Sequence, residues 1–164
     1  MIQDKKLIVL CTVPAGEGEN GIHHIAISTV SKHLKIQLGL DSTDIGLIDW
    51  LCIPEQKLLE FTRGKIFYDN VGEISSIRKK LSYFPDAVWF YKLVYAWENL
   101  NQIDVIRLCA HRGDVLSARI TLAKVIERIM RLVYLINRKY CPGTMKWFSK
   151  EFLCLPKLAS QQTH

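Results

Sequence analysis

Long apolar runs, paired cysteines and internal repeats are all missing from this 164-residue sequence, and each absence removes a class of protein. No apolar run approaches the roughly 18 residues needed to cross a bilayer. Residues 7–11 are too few for the apolar core of a signal peptide and lead into polar, glycine-rich sequence. A chain that neither spans a membrane nor is secreted is expected. The five cysteines, Cys11, Cys52, Cys109, Cys141 and Cys154, show none of the short paired spacings of a zinc site. Their odd number, mostly within apolar stretches, fits buried reduced thiols rather than a disulfide framework, and hence the cytoplasm. Without repeats, low-complexity tracts or a long linker, a single compact domain is expected, large enough to bury its own core.

Signatures of phosphate and metal chemistry are equally scarce. Gly16, Gly18 and Gly21 crowd one loop, but a strand-like segment follows them, whereas a phosphate-cradling loop must open directly into a helix. Asp41, Asp44 and Asp49 supply carboxylates without the Gly-Ser turn that would hold a triphosphate against metal ions, so they read as loop and cap residues. His23 and His24 are neighbours on a strand and point to opposite faces, which prevents both from meeting His33. Cys109 and His111 offer a thiol and an imidazole, yet no orienting group or oxyanion donor accompanies them.

What is present is a helical pattern. Residues 6–13 and 23–28 read as short strands around the glycine-rich loop, giving a small hairpin. Residues 29–40 suit a helix capped by Ser28 or Thr29, and residues 39–46 a turn. Pro54 followed by Glu55 begins a helix that Gly64 ends, because proline in the first turn forfeits no needed donor and an acidic residue suits the dipole. Residues 72–83 form the next helix, with Ile74, Ile77 and Leu81 on one face. Pro85 opens another, whose nearly continuous apolar residues predict a central buried element with Trp89 and Trp97 in the core.

Residues 113–140 contain no proline and no internal glycine, and predict one long helix. At about 100° per residue, Leu122, Val125, Ile129, Leu132, Val133 and Ile136 share a stripe, while Lys124, Arg128, Arg131 and Arg138 gather opposite. Residues 141–143 stop this helix, and residues 145–153 form a short terminal one before a polar tail. The net charge of +6 permits an anionic partner without requiring one. Four cations along one side of a rigid helix would seat an anionic ligand, with Glu127 to orient it; alternatively Arg131 and Arg138 tie the helices together through carboxylates such as Glu98 or Asp114.

Over residues 23–152 the sequence resembles the domain of unknown function 4037, the C-terminal part of nucleotidyltransferase-like proteins related to aminoglycoside and lincosamide nucleotidyltransferases. The residues that carry the resemblance include Trp50-Leu51, Pro54-Glu55-Gln56, Thr62, Gly64, Asp69, Gly72-Glu73, Arg78, Tyr83, the Pro85–Trp89 run and Trp97. Further on come Gln102, Gly113-Asp114, Arg119, Arg131-Leu132, Arg138, Tyr140, Pro142 and Lys146-Trp147-Phe148. Three departures stand out: Ile103 where the family tends to place a glutamate, Lys124 where arginine is more typical, and one extra residue between Tyr140 and Lys146.

The resemblance implies a mainly α protein: an up-and-down helical bundle with a small N-terminal β element, centred on the helices that begin at Pro85 and Gly113. Residues 1–22 are expected to form a peripheral strand and loop, residues 23–155 the helical domain, and residues 156–164 a polar tail. It also implies the substrate-recognition half of a nucleotidyltransferase-like protein, without the metal-binding catalytic half and inactive alone. Gln102, Arg107, Asp114, Arg119, Lys124, Arg131 and Lys146 are then the candidates for binding an anionic or nucleotide-bearing substrate. No cofactor is expected in this chain; Mg²⁺ and a nucleoside triphosphate would come with a separate catalytic domain. The alternative expectation is a stand-alone helical module that binds RNA or a protein partner.

Overall fold

A computed structural model describes residues 7–12, 24–101 and 103–157. The glycine-rich loop at 14–21, Gln102 and the tail from 158 onward lie outside the described residues. The fold is mainly helical with a small N-terminal β element. Strands β1 (Leu7–Thr12) and β2 (His24–Thr29) pair antiparallel, with Leu7 opposite Thr29 and Thr12 opposite His24. Among the described residues eight helices follow: α1 (Val30–Leu38), α2 (Leu47–Cys52), α3 (Glu55–Thr62), α4 (Glu73–Lys80), α5 (Asp86–Glu98), α6 (Ile103–His111), α7 (Val115–Ile136) and α8 (Met145–Phe152). The sequence pattern anticipates six of these. Helices α2 and α6 are additional, each short and flanked by turn-forming residues that mask its periodicity.

Local chemistry sets the helix ends. The Thr29 hydroxyl accepts the Lys32 N–H at 3.3 Å, and Gly39 closes α1 in the left-handed region at φ 74°, where a Cβ would be strained. Asp49 reaches back to the Gly46 N–H at 2.8 Å to start α2. Asp69 accepts both the backbone N–H and the hydroxyl of Ser75, at 2.8 and 2.7 Å, and so braces the start of α4. Asp114 accepts the Ser117 N–H at 3.0 Å to cap α7.

Two apolar clusters hold the chain. The larger joins Val30, Leu34 and Leu38 of α1 to Trp50, Leu58, Phe61, Ile77, Leu81, Phe84 and Val88, with Tyr140 returning from beyond α7. Within it Tyr140 packs edge-on against Phe84 and donates its hydroxyl to the Leu81 carbonyl at 2.8 Å. The smaller packs Val133, Tyr134 and Cys141 on Phe148 and Phe152 of α8, and the Tyr134 hydroxyl donates to the Phe148 carbonyl at 2.9 Å.

The core therefore sits around α1 to α4, the first turn of α5 and the last turns of α7, which corrects the expectation of a centre built on α5 and α7. Only Val88 of α5 is buried, and Trp97 is 69% exposed. Among the described residues, α5 beyond its first turns has α7 along one side and no other extensive neighbour, so an apolar helix has more apolar faces than cover. Trp89 stays partly buried, packs on the larger cluster and donates its indole N–H to the Leu135 carbonyl at 2.8 Å. No helix among the described residues is long and apolar enough to cross a membrane.

Candidate functional site

Four of the seven candidate residues lie on one part of the molecule. Beyond the core, α6 and the first half of α7 pack together beside the second half of α5, forming an arm. The contact side of α7 carries Ser117, Ala118, Thr121 and Val125, small enough for close helix approach, and Arg128 donates to the Asn99 carbonyl at 2.9 Å. Arg107 projects from α6, Asp114 caps α7, and Arg119 and Lys124 stand on its exposed side. Among the described residues, no hydrogen bond or ion pair commits Arg107, Arg119 or Lys124. Asp114, by contrast, is held below the usual carboxylate range by the hydrogen bonds from Ser117.

Large apolar side chains are numerous on the arm's exposed surface. Fourteen large hydrophobic residues of α5, α6 and α7 are between 41% and 70% exposed, from Val94 to Leu116, and α6 buries none of its residues. So many large exposed apolar side chains on three successive helices exceed the single scattered ones that an ordinary monomer shows. Such a surface is built to be covered.

Of the remaining candidates, Gln102 lies outside the described residues, and Arg131 and Lys146 are separate from the arm. Arg131 points back into the fold, where its guanidinium meets Glu127 at 2.8 Å, lies 5.3 Å from the Phe148 ring and reaches the Cys141 sulfur at 3.5 Å. Lys146 sits over Trp147 at 5.3 Å on α8. The expected basic side of the long helix is thus largely spent on internal contacts. Arg128 holds Asn99, Arg131 holds Glu127, and Arg138, just past the helix, pairs with Asp86 at 2.7 Å and stacks on Trp89 at 4.2 Å. Arg131 and Arg138 both pair with carboxylates, but with Glu127 on the same helix and with Asp86 at the start of α5 rather than with Glu98 or Asp114, so that only the Arg138 pair ties two elements together.

Many residues that carry the family resemblance have architectural duties. Glu55 accepts the Cys141 N–H at 3.0 Å and pairs with Lys92 at 3.3 Å, while Gln56 accepts the Gly143 N–H at 2.7 Å. A Cβ at Gly143 would stand 3.2 Å from that of Gln56, which explains a glycine in the loop. Arg78 donates to the Gly64 carbonyl at 2.7 Å. Pro54-Glu55-Gln56 and the loop after α7 thus form a single clamp.

Among the described residues no three His, Cys, Asp or Glu side chains converge on a point where a metal would be held. Asp41 pairs with Lys35 at 2.6 Å and Asp49 is turned to the Gly46 N–H, so the acidic cluster around α2 does not fit Mg²⁺. Cys109 is partly buried beside an exposed His111, while Cys52 and Cys154 are exposed, unlike the buried thiols expected.

A cationic cavity between α3, α4, α8 and the turn after α7 contains none of the seven candidates. Its Arg63, Arg78, Arg138 and Lys139 come from three separate stretches of chain, so no local spacing announces it.

Comparison with known proteins adds one positive result. No curated protein and no solved structure matches the chain. The domain of unknown function DUF4037 matches residues 50–148, from Trp50 on α2 to Phe148 on α8, which takes in the clamp, most of the core and the whole arm. With well over half of its length matched, the chain belongs to the DUF4037 family.

Proposed function

We propose that this chain is the substrate-recognition part of a nucleotidyltransferase-like cytoplasmic protein, and that it performs no nucleotidyl transfer alone. The observation that carries the reading is the uncovered arm, on which an apolar surface and the uncommitted cations Arg107, Arg119 and Lys124 lie together. An apolar surface of that extent suits a catalytic domain docked against it, and cations at its edge suit an anionic or nucleotide-bearing substrate held between the two. Mg²⁺ and the nucleoside triphosphate would belong to that second domain, because Asp41, Asp49 and Asp114 are engaged in an ion pair and two caps and, among the described residues, no three potential ligands converge.

The test has two arms. The purified chain, incubated with labelled nucleoside triphosphates, Mg²⁺ and a panel of hydroxyl acceptors, is expected to incorporate nothing, and incorporation that survives repurification would overturn the reading. A catalytic domain with a Gly-Ser turn and two acidic residues, encoded next to this chain, is expected to co-purify with it and to lose that association when Phe90 and Leu116 become serine.

The second reading is a stand-alone helical interaction module. Within it the apolar arm favours a protein partner over RNA, since RNA binding rests on dense phosphate-directed charge and the arm's uncommitted cations, Arg107, Arg112, Arg119 and Lys124, are scattered.

A further inference from the structure

A cavity of about 450 Å³ lies where the end of α3, α4, the turn after α7 and the end of α8 meet. Its lining carries four cations, Arg63, Arg78, Arg138 and Lys139, against one carboxylate, Glu151. Two of the cations are already neutralised. Arg63 grips Glu151 with both terminal nitrogens, and Arg138 is paired with Asp86 and stacked on Trp89.

Arg78 and Lys139 have no such compensation among the described residues. The Arg78 fork is half used: one terminal nitrogen donates to the Gly64 carbonyl, while its Nε is buried with no acceptor at all. Guanidinium stays charged at any pH a folded protein survives, so a partly buried Arg78 without a counter-charge is a standing cost that an anion would relieve. Nearby, burial first and the positive field of Arg78 second push the His33 imidazole below its usual range, as expected where no anion offsets that charge. Lys139 is exposed at the mouth, placed by the left-handed turn at Arg138 (φ 51°) that brings the Lys139 N–H onto the Tyr134 carbonyl at 3.1 Å. The Ser82 hydroxyl, also in the lining, has no partner within the described chain and can donate.

We infer that this cavity binds the phosphate group of a small phosphate monoester, seated on Arg78 and Lys139. Two uncompensated positive charges call for a dianion, which a phosphate monoester is above its second pKa of about 6, whereas a carboxylate or a sulfate ester brings a single charge. Arginine's fork matches tetrahedral oxygens, and the volume suits a compact ligand whose body rests on Leu59, Leu155 and Pro156. Glu151 does not oppose the phosphate, because Arg63 already holds both of its oxygens. The site is separate from the arm and stands or falls independently of any catalytic partner.

Isothermal titration of the whole chain at low salt with phenyl phosphate, phenyl sulfate and benzoate tests this. Phenyl phosphate is expected to bind at least tenfold more tightly than the two monoanions. Arg78→Gln is expected to weaken it about tenfold, and Lys139→Gln about threefold. Arg78→Gln also removes the Gly64 contact, so if it fails to fold, the exposed Lys139→Gln carries the measurement, with Lys32→Gln on α1, exposed and outside both the cavity and the arm, as a control expected to change nothing. Equal affinity for the three ligands, no binding of phenyl phosphate, or an equal loss in Lys139→Gln and Lys32→Gln would each overturn the inference. None of these outcomes bears on nucleotidyl transfer or on the docking of a second domain, which are measured separately.

Discussion

The Glu55 carboxylate accepts the Cys141 N–H at 3.0 Å across 86 residues of sequence, and its other oxygen holds Lys92 at 3.3 Å. This contact ties the start of α3 to the loop that follows α7, and so joins the two apolar clusters. Glu55→Ala leaves a part-buried N–H without an acceptor and a largely covered ammonium without its carboxylate, which should cost about 2 kcal/mol. Glu55→Gln keeps an acceptor for Cys141 and should cost about half as much. Urea denaturation of the three proteins with an unchanged slope checks both values, and equal stability of wild type and Glu55→Ala would remove the clamp from the account.

Trp89 and Trp97 should behave oppositely despite sitting on one helix. Trp89 is packed on the main cluster, hydrogen-bonded to Leu135 and covered by Arg138, so Trp89→Ala should cost about 3–5 kcal/mol. Trp97 is 69% exposed, so Trp97→Ala should shift stability by no more than about 0.5 kcal/mol. Chemical denaturation followed by circular dichroism separates them.

The same pair marks where sequence is legible and where it is not. Features decided within a few residues can be read directly: Thr29 at the start of α1, the uninterrupted run of α7, the Pro85 start of α5. Burial of α5 cannot, because an almost wholly apolar helix looks the same whether neighbours surround it or a partner has yet to arrive. Arg131 and Arg138 fall with Lys124 and Arg128 on a helical wheel, yet Arg131 pairs with Glu127 one turn back on α7, while Arg138, in the turn past the helix, reaches Asp86 on α5. The cavity was invisible for a related reason: Arg63, Arg78 and Lys139 share no spacing and meet only through the tertiary fold.

Arg131→Gln should be a stability change and not a binding change. The substitution breaks the Glu127 pair at 2.8 Å and exposes the Phe148 face to water, at a cost of about 1 kcal/mol. A lower melting midpoint with an unaltered salt dependence of any nucleotide or RNA association is the expected result; a smaller salt slope at constant midpoint would assign Arg131 to a ligand.

Stability should fall at both ends of the pH scale, for identifiable reasons. Burial pushes the Cys141 thiol up to about 12 in the folded chain. The unfolded chain therefore loses that proton first, and stability declines as pH rises from about 8.5 toward the folded value. In acid the sign reverses. Glu151 is held below the usual range by Arg63, so its contribution is complete above the ordinary carboxylate pKa of about 4.3 and is lost as pH falls below it. Melting midpoints from pH 3 to 10 should trace both limbs, with Cys141→Ala flattening the alkaline one. At pH 8, exposed Cys52 and Cys154 should react with a thiol reagent well before Cys141.

The arm predicts the behaviour of the isolated chain. Its exposed apolar residues have no cover in this structure, and α6 buries nothing, so α6 and the first half of α7 should exchange amide protons far faster than α3 and α4. A hydrophobic dye should bind the native protein without denaturant. Replacing Phe90 and Leu116, 62% and 70% exposed, with serine removes apolar area from the arm while leaving both core clusters untouched. That double variant should show dye fluorescence reduced by about half and a melting midpoint within about 2 °C of wild type, since exposed substitutions cost little. If instead the midpoint falls by 10 °C or more, those side chains are packed in the native state, and the uncovered surface on which the proposed docking rests does not exist.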